Sequence, residues 1–181
     1  MVFITPQAWQ EDPGGNLMNA IAAVNLKGYI GKGGDLMYNI KEDMSFFART
    51  TKGKTMVMGR RTLLSLPGGK GLKNRTNIVL SRTMTAEEAK ERDVYIARDV
   101  DDLLELLRSL GTPEEEVFVI GGGEIYALLL PYCKTLYITR VLSEDEGEVK
   151  FPAIPANFVL TKGEVNYSGD LAYRFDTYVR S

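Results

Sequence analysis

Three short clusters in this 181-residue chain carry side chains with chemistry to offer. The first is Ile40-Lys41-Glu42-Asp43-Met44-Ser45-Phe46-Phe47-Ala48-Arg49, whose spacing puts Ile40, Asp43 and Phe47 on one side of a helix. A carboxylate therefore lies within an apolar stripe. Burying it unpaired costs on the order of several kcal/mol, which a ligand presenting a pair of N–H donors would offset. The plainer alternative leaves Asp43 solvated at the edge of the stripe, in a first helical turn where the macrodipole welcomes an acid. The second cluster, Met58-Gly59-Arg60-Arg61-Thr62, joins an apolar strand to a leucine-bearing helical stretch. Glycine admits close backbone approach, and guanidinium forks match phosphate oxygens, so the turn suits an anion; an ordinary basic turn has the same composition. The third, Ile120-Gly121-Gly122-Gly123-Glu124-Ile125-Tyr126, again runs from strand to helix. Three consecutive glycines imply positive φ, unusual peptide geometry or contact with pyrophosphate, although the spacing is not Gly-x-Gly-x-x-Gly and a tight turn stays open. Two anion-binding turns and a carboxylate on an apolar helix face point to a nucleotide-dependent enzyme acting on a nitrogenous ring.

The elements that must position these groups are legible in the apolar runs. Met18 to Val24, Thr55 to Met58, Asn77 to Leu80, Val94 to Ile96, Val117 to Ile120 and Leu136 to Thr139 have the length and β-branched content of core strands. Between them lie helical patterns, the clearest being Val100, Leu103, Leu104, Leu107 and Leu110. Alternating strands and helices imply a largely parallel sheet covered on both faces. The glycine-rich stretch 25–37 reads as a long mobile loop. Near the end, Phe158 to Leu160 and the alternation Tyr173, Phe175, Thr177, Val179 flank Asn166-Tyr167-Ser168-Gly169, which reads as the turn of an antiparallel hairpin. The expected architecture is one α/β domain over 17–181, with a central mixed, mostly parallel twisted sheet, flanking helices and a C-terminal antiparallel hairpin. Residues 1–16, with Gly14-Gly15 and the only tryptophan, Trp9, read as an N-terminal extension.

Composition narrows the chemistry. No histidine is present and Cys133 is the only cysteine, so thiol-imidazole zinc sites, Ser-His-Asp triads, Cys-His dyads and an internal disulfide are excluded within the chain. No metal is expected. A net charge of -2 gives no bulk reason for nucleic-acid binding, and no signal-peptide pattern or membrane-length apolar run occurs, so the cytoplasm is the expected compartment. Around Gly68 to Lys73 no P-loop spacing appears. The acidic run Glu144-Asp145-Glu146-Gly147-Glu148 lacks calcium-loop spacing and reads as a solvated loop.

In order and spacing, several stretches between Met18 and Arg180 resemble the dihydrofolate reductase family. They are Ala20-Ile21-Ala22-Ala23, Ile30-Gly31, Glu42-Asp43-Met44-Ser45-Phe46-Phe47, Val57-Met58-Gly59-Arg60-Arg61-Thr62, Asn77-Ile78-Val79-Leu80-Ser81-Arg82, Val119-Ile120-Gly121-Gly122-Gly123 with Ile125-Tyr126, and Leu136-Tyr137-Ile138-Thr139. The resemblance implies reduction of dihydrofolate by NADPH, in a monomer that also takes antifolate-type inhibitors. It makes Asp43 the carboxylate that accepts from the pterin 2-amino group and neighbouring ring nitrogen, Thr139 the hydroxyl supporting it, and Phe47 the ring packed on the substrate. It places Ile21, Ala22, Ile120 and Tyr126 beside the pterin, Leu66 and Leu72 along the aminobenzoyl channel, and Arg75 on the glutamate α-carboxylate. For the cofactor it implies Gly59, Arg60, Arg61 and Thr62 at one phosphate turn. Gly121, Gly122, Gly123, Glu124, Ile125 and Tyr126, with a cis peptide between the first two glycines, form the other. Leu80, Ser81 and Arg82 would lie with Arg61 at the adenosine 2′-phosphate, and Ala23, Ile30 and Ile120 near the nicotinamide.

The chain departs from the family pattern in places. Leu36-Met37-Tyr38 stands where many relatives have Leu-Pro-Trp, so Tyr38 becomes the candidate to hold the catalytic water through its hydroxyl. Lys73-Asn74 replaces the usual Pro-Gly, and Glu124 is acidic beside a phosphate turn. Two other readings share the fold signal: an NADPH-dependent pyrimidine reductase of riboflavin synthesis, against which the Asp43-Phe47 pair and Arg75 argue, and a non-catalytic NADPH-binding protein.

Overall fold

The structure is a computed structural model that describes residues 17–181; the extension 1–16 lies outside the described residues. In chain order the strands are β1 (Met18–Asn25), β2 (Tyr29–Lys32), β3 (Asp35–Leu36), β4 (Thr55–Gly59), β5 (Thr76–Leu80), β6 (Tyr95–Ala97), β7 (Val117–Val119), β8 (Cys133–Val141), β9 (Val149–Lys150), β10 (Phe158–Thr161), β11 (Val165–Ser168) and β12 (Leu171–Arg180). The α-helices are α1 (Lys41–Thr51), α2 (Arg60–Ser65), α3 (Ala86–Glu91), α4 (Val100–Ser109) and α5 (Gly123–Leu129). The main sheet runs β10-β12-β8-β1-β7-β4-β5-β6, parallel from β8 to β6 and antiparallel at β12 and β10, with β11 also paired to β12. The expected mixed, mostly parallel α/β sheet is what forms.

Two-residue periodicity divides the sheet's faces. Met56, Met58 and Val79 enter one buried cluster with Leu63, Met84 and Ala89, while their neighbours Val57, Ile78 and Leu80 enter another with Leu103, Leu107, Leu129 and Phe151. Helix α4 shows why the predicted helix forms where it does. Asp99 caps it by accepting from the Asp102 N–H at 2.8 Å, Leu103 and Leu107 bury one face, and Gly111 at φ +67° follows its end.

Two expectations need correction, and a third, the solvated acidic loop, holds with added detail. The stretch 25–37 is not all loop: β2 pairs with β3 and β9 in a small antiparallel sheet, because the chain reverses through Gly33 and Gly34, both at positive φ. Asn166, Tyr167 and Ser168 belong to β11, and the hairpin instead turns through Gly169 at φ +60° and Asp170. The acidic run is exposed but engaged: Asp145 meets Tyr38 and Ser143, Glu146 pairs with Lys27 at 2.6 Å, and Glu148 accepts from the Gly33 N–H.

Candidate active site

Every cluster singled out in the sequence lies at the carboxyl ends of the parallel strands or against them, the edge where open α/β sheets hold ligands. Helix α1 crosses beside β8, and Thr139 of β8 donates to Asp43 Oδ1 at 2.5 Å. Thr139 is buried and pairs in register with Ala23 of β1, the residue expected near the nicotinamide. Burial raises the Asp43 carboxyl above the ordinary range, and the Thr139 hydrogen bond pulls it partly back. Thr139 is its one hydrogen-bond donor among the described residues, which leaves acceptor capacity on a half-buried carboxylate.

Removing the Thr139 hydroxyl tests that contact alone. Thr139→Val should raise the Asp43 carboxyl further, read by ¹³C NMR titration, and cost about 1–2 kcal/mol of stability. An unmoved titration would contradict it.

Phe47, Leu66, Leu72 and Ile120 all pack, partly exposed, against the Met56–Met58–Leu63 cluster, so the structure brings together four residues assigned to the substrate. Arg75 reaches the same helix: its Nε donates to the Thr51 hydroxyl at 2.9 Å and a terminal nitrogen to the Ala48 carbonyl at 3.1 Å. Thr51 in turn donates to the Phe47 carbonyl at 2.8 Å. The sequence reading missed Thr51; its signal was the four-residue spacing from Phe47, which sets a helical hydroxyl on that carbonyl.

On the opposite side, the two glycine turns meet. The Gly59 N–H donates to the Gly121 carbonyl at 2.9 Å, and the Gly121–Gly122 peptide is cis. A Cβ on Gly59 would lie 3.0 Å from the Ile125 side chain, so the close approach of the turns leaves little room for a larger residue there. Tyr126 is buried and donates to the Ile21 carbonyl at 2.6 Å, tying α5 to β1; burial first, then the Asp43 charge, raises its hydroxyl far above the phenol range and keeps it a donor. Glu124 is exposed.

Gly121 has φ +123°, so Gly121→Ala should cost about 1–3 kcal/mol in urea denaturation. Gly122, at φ -85° with its nearest added-Cβ contact at 3.7 Å, should tolerate alanine better. Equal losses at the two positions would contradict that ranking.

The cations divide. Arg60 is committed to Glu88 at 2.8 Å, and Glu88, which also pairs with Arg92, is held below the ordinary carboxylate range by both. Arg61 and Arg82 are exposed, and among the described residues neither has a carboxylate within ion-pair distance. The Ser81 hydroxyl accepts from the N–H groups of Thr83 and Met84, which leaves its proton free to donate. Arg98, missed from sequence, reaches this edge by donating to the Met84 carbonyl at 2.6 Å. Helices α2 and α5 have only six and seven residues, so guanidiniums and local N–H groups, rather than long dipoles, would supply the positive field. Among the described residues no group of three or more metal-ligating side chains gathers, and no helix is long and apolar enough to cross a membrane.

A family model described as dihydrofolate reductase matches residues 17–180. The chain is 35% identical over 170 residues to a dihydrofolate reductase of Mycobacterium tuberculosis, covering 91% of this chain and 99% of that protein. It is 37% identical over 171 residues to that of Mycobacterium leprae, with the same coverage of 91% and 99%, and 32% identical over 149 residues to that of Bacillus subtilis, covering 82% and 83%. The chain belongs to the dihydrofolate reductase family of oxidoreductases.

Proposed function

We propose that this chain reduces 7,8-dihydrofolate to 5,6,7,8-tetrahydrofolate with NADPH. The observation that carries the reading is the Asp43 carboxylate, half-buried, with Thr139 as its one hydrogen-bond donor among the described residues, on the helix whose Phe47 packs with Leu66, Leu72 and Ile120 against one apolar cluster. A pterin's 2-amino group and adjacent ring N–H form the donor pair such a carboxylate lacks, and the same pair occurs in antifolate-type inhibitors. Thr139 fixes the carboxylate, Phe47 packs on the ring, and Arg75, with donors left after its bonds to Thr51, Ala48 and Lys73, reaches the glutamate α-carboxylate.

The residues present fit NADPH. The joined turns at Gly59 and Gly121 bring backbone close enough for phosphates, and Arg61 and Arg82, without an ion-pair partner among the described residues, suit a 2′-phosphate with the Ser81 hydroxyl. When bound, NADPH supplies the hydride for pterin C6, and N5 takes a proton. Asp43 favours the N5-protonated ring electrostatically, because its charge pairs with the donor side of the same heterocycle.

The test is nicotinamide absorbance with three arms. It should fall when dihydrofolate is added to the protein and NADPH. Decay only with a ribosylated pyrimidine would favour the riboflavin-pathway reductase, and NADPH binding without decay in either arm would favour a non-catalytic protein.

A further inference from the structure

The Tyr38 hydroxyl, the candidate to hold a catalytic water, lies between two side chains of the protein. It donates to Asp145 Oδ2 at 3.1 Å and accepts from Asn25 Nδ2 at 3.2 Å. Asn25 is fully buried and every hydrogen-bonding position of its amide is occupied. Its Nδ2 also donates to the Asp145 carbonyl at 2.8 Å, and its Oδ1 accepts from the N–H groups of Lys27 and Tyr29 at 3.0 and 2.9 Å. Ser143 donates to the same Asp145 oxygen at 2.7 Å, and the Leu26 N–H donates to the Ser143 carbonyl at 3.0 Å. Both ends of the 25–38 segment are thus fastened to 143–145, one through Asn25 and Leu26 and the other through Tyr38.

We propose that Tyr38 is a positioning residue, whose hydroxyl latches the 25–38 segment to Asp145 and thereby fixes both that segment and the entry to α1. The segment carries Ile30, and Tyr38 packs with Ile40, Val141 and Tyr173, directly before the turn that holds Asp43. A phenol fits here for a reason of hydrogen-bond inventory. The group between Asn25 and Asp145 must accept from one and donate to the other, whereas an indole N–H only donates. The Asp145 carboxyl is held below its ordinary range, by Ser143 first and Tyr38 second, consistent with an ionised acceptor.

The effect on turnover rests on the proposed reductase activity; the latch itself does not. The test uses the full chain and its Tyr38→Phe, Tyr38→Trp, Asp145→Ala, Asp145→Asn and Tyr38→Phe/Asp145→Ala variants. Trypsin cleavage after exposed Lys32, within the latched segment, is measured alongside thermal midpoints. Tyr38→Phe, Tyr38→Trp and Asp145→Ala should each accelerate that cut about fivefold, the size expected for one hydrogen bond to a charged group near water. The double variant should be no faster than either single, and Asp145→Asn, which keeps the acceptor, should stay near the parent. With both ligands saturating, kcat should fall by a similar factor while the KM for dihydrofolate holds within about twofold. Cleavage at the parent rate in Tyr38→Phe, multiplying effects in the double variant, a faster cut explained wholly by lower midpoints, or unchanged kcat would each overturn the proposal. Absence of turnover in every protein, parent included, would instead sink the reductase reading, and the cleavage ratios would still decide the latch.

Discussion

Asp43→Asn should lower the hydride-transfer rate by about a hundredfold or more at neutral pH, while NADPH affinity stays within about twofold. The substitution keeps the shape and an oxygen acceptor for Thr139, but it removes the charge that favours the N5-protonated pterin. It also turns one acceptor into an NH2 group facing a ring donor, and two donors cannot pair. Single-turnover absorbance at several pH values reads the rate, and a variant as fast as the parent across the range would remove Asp43 from the mechanism. A stability consequence follows without ligand. Burial raises Asp43, so the folded protein takes up that proton more readily than the unfolded chain. The corresponding stability is present below the unfolded carboxylate value, about 4, and is lost as pH rises through the higher folded value. The amide introduced by Asp43→Asn does not titrate. The unliganded variant should therefore gain on the parent as pH rises above about 4, read by urea denaturation, and the opposite trend would contradict a burial-raised carboxyl.

Replacing Arg61 and Arg82 together by alanine should weaken NADPH on the order of a hundredfold and NADH by less than about threefold. Each guanidinium offers charge-assisted bonds to a doubly charged 2′-phosphate, and neither has a carboxylate partner to compete for it among the described residues. An unphosphorylated ribose gives them nothing to pair. Calorimetric titration of both cofactors gives the ratio, and equal losses would move the 2′-phosphate elsewhere. Arg60 is the contrasting case, since its guanidinium is committed to Glu88; its alanine variant should disturb the α2–α3 contact more than cofactor choice.

The strands and α4 were legible because their apolar residues repeat at two or at three to four positions, and those periods survive in any context. The apolar patch proposed for the substrate was named through resemblance, and its four members do pack against one cluster. What sequence did not show were contacts between segments distant along the chain. Glu88 reaching Arg60 and Asp145 reaching Tyr38 span 28 and 107 positions, and no local pattern encodes which charge meets which. The misplaced hairpin turn has a different origin. Asn166 and Ser168 carry turn chemistry in isolation, but pairing with Tyr173 and Leu171 holds them in a strand and moves the reversal to Gly169.

The proposed reaction passes hydride from nicotinamide C4 to pterin C6 at the site marked by Asp43. NADPH deuterated on both C4 positions, supplied with dihydrofolate in ordinary water, tests it by NMR of the product. The account predicts one deuterium at C6 of tetrahydrofolate for each NADPH oxidised, with the N5 hydrogen drawn from solvent. Tetrahydrofolate with solvent hydrogen at C6, or NADPH left unoxidised, would contradict it.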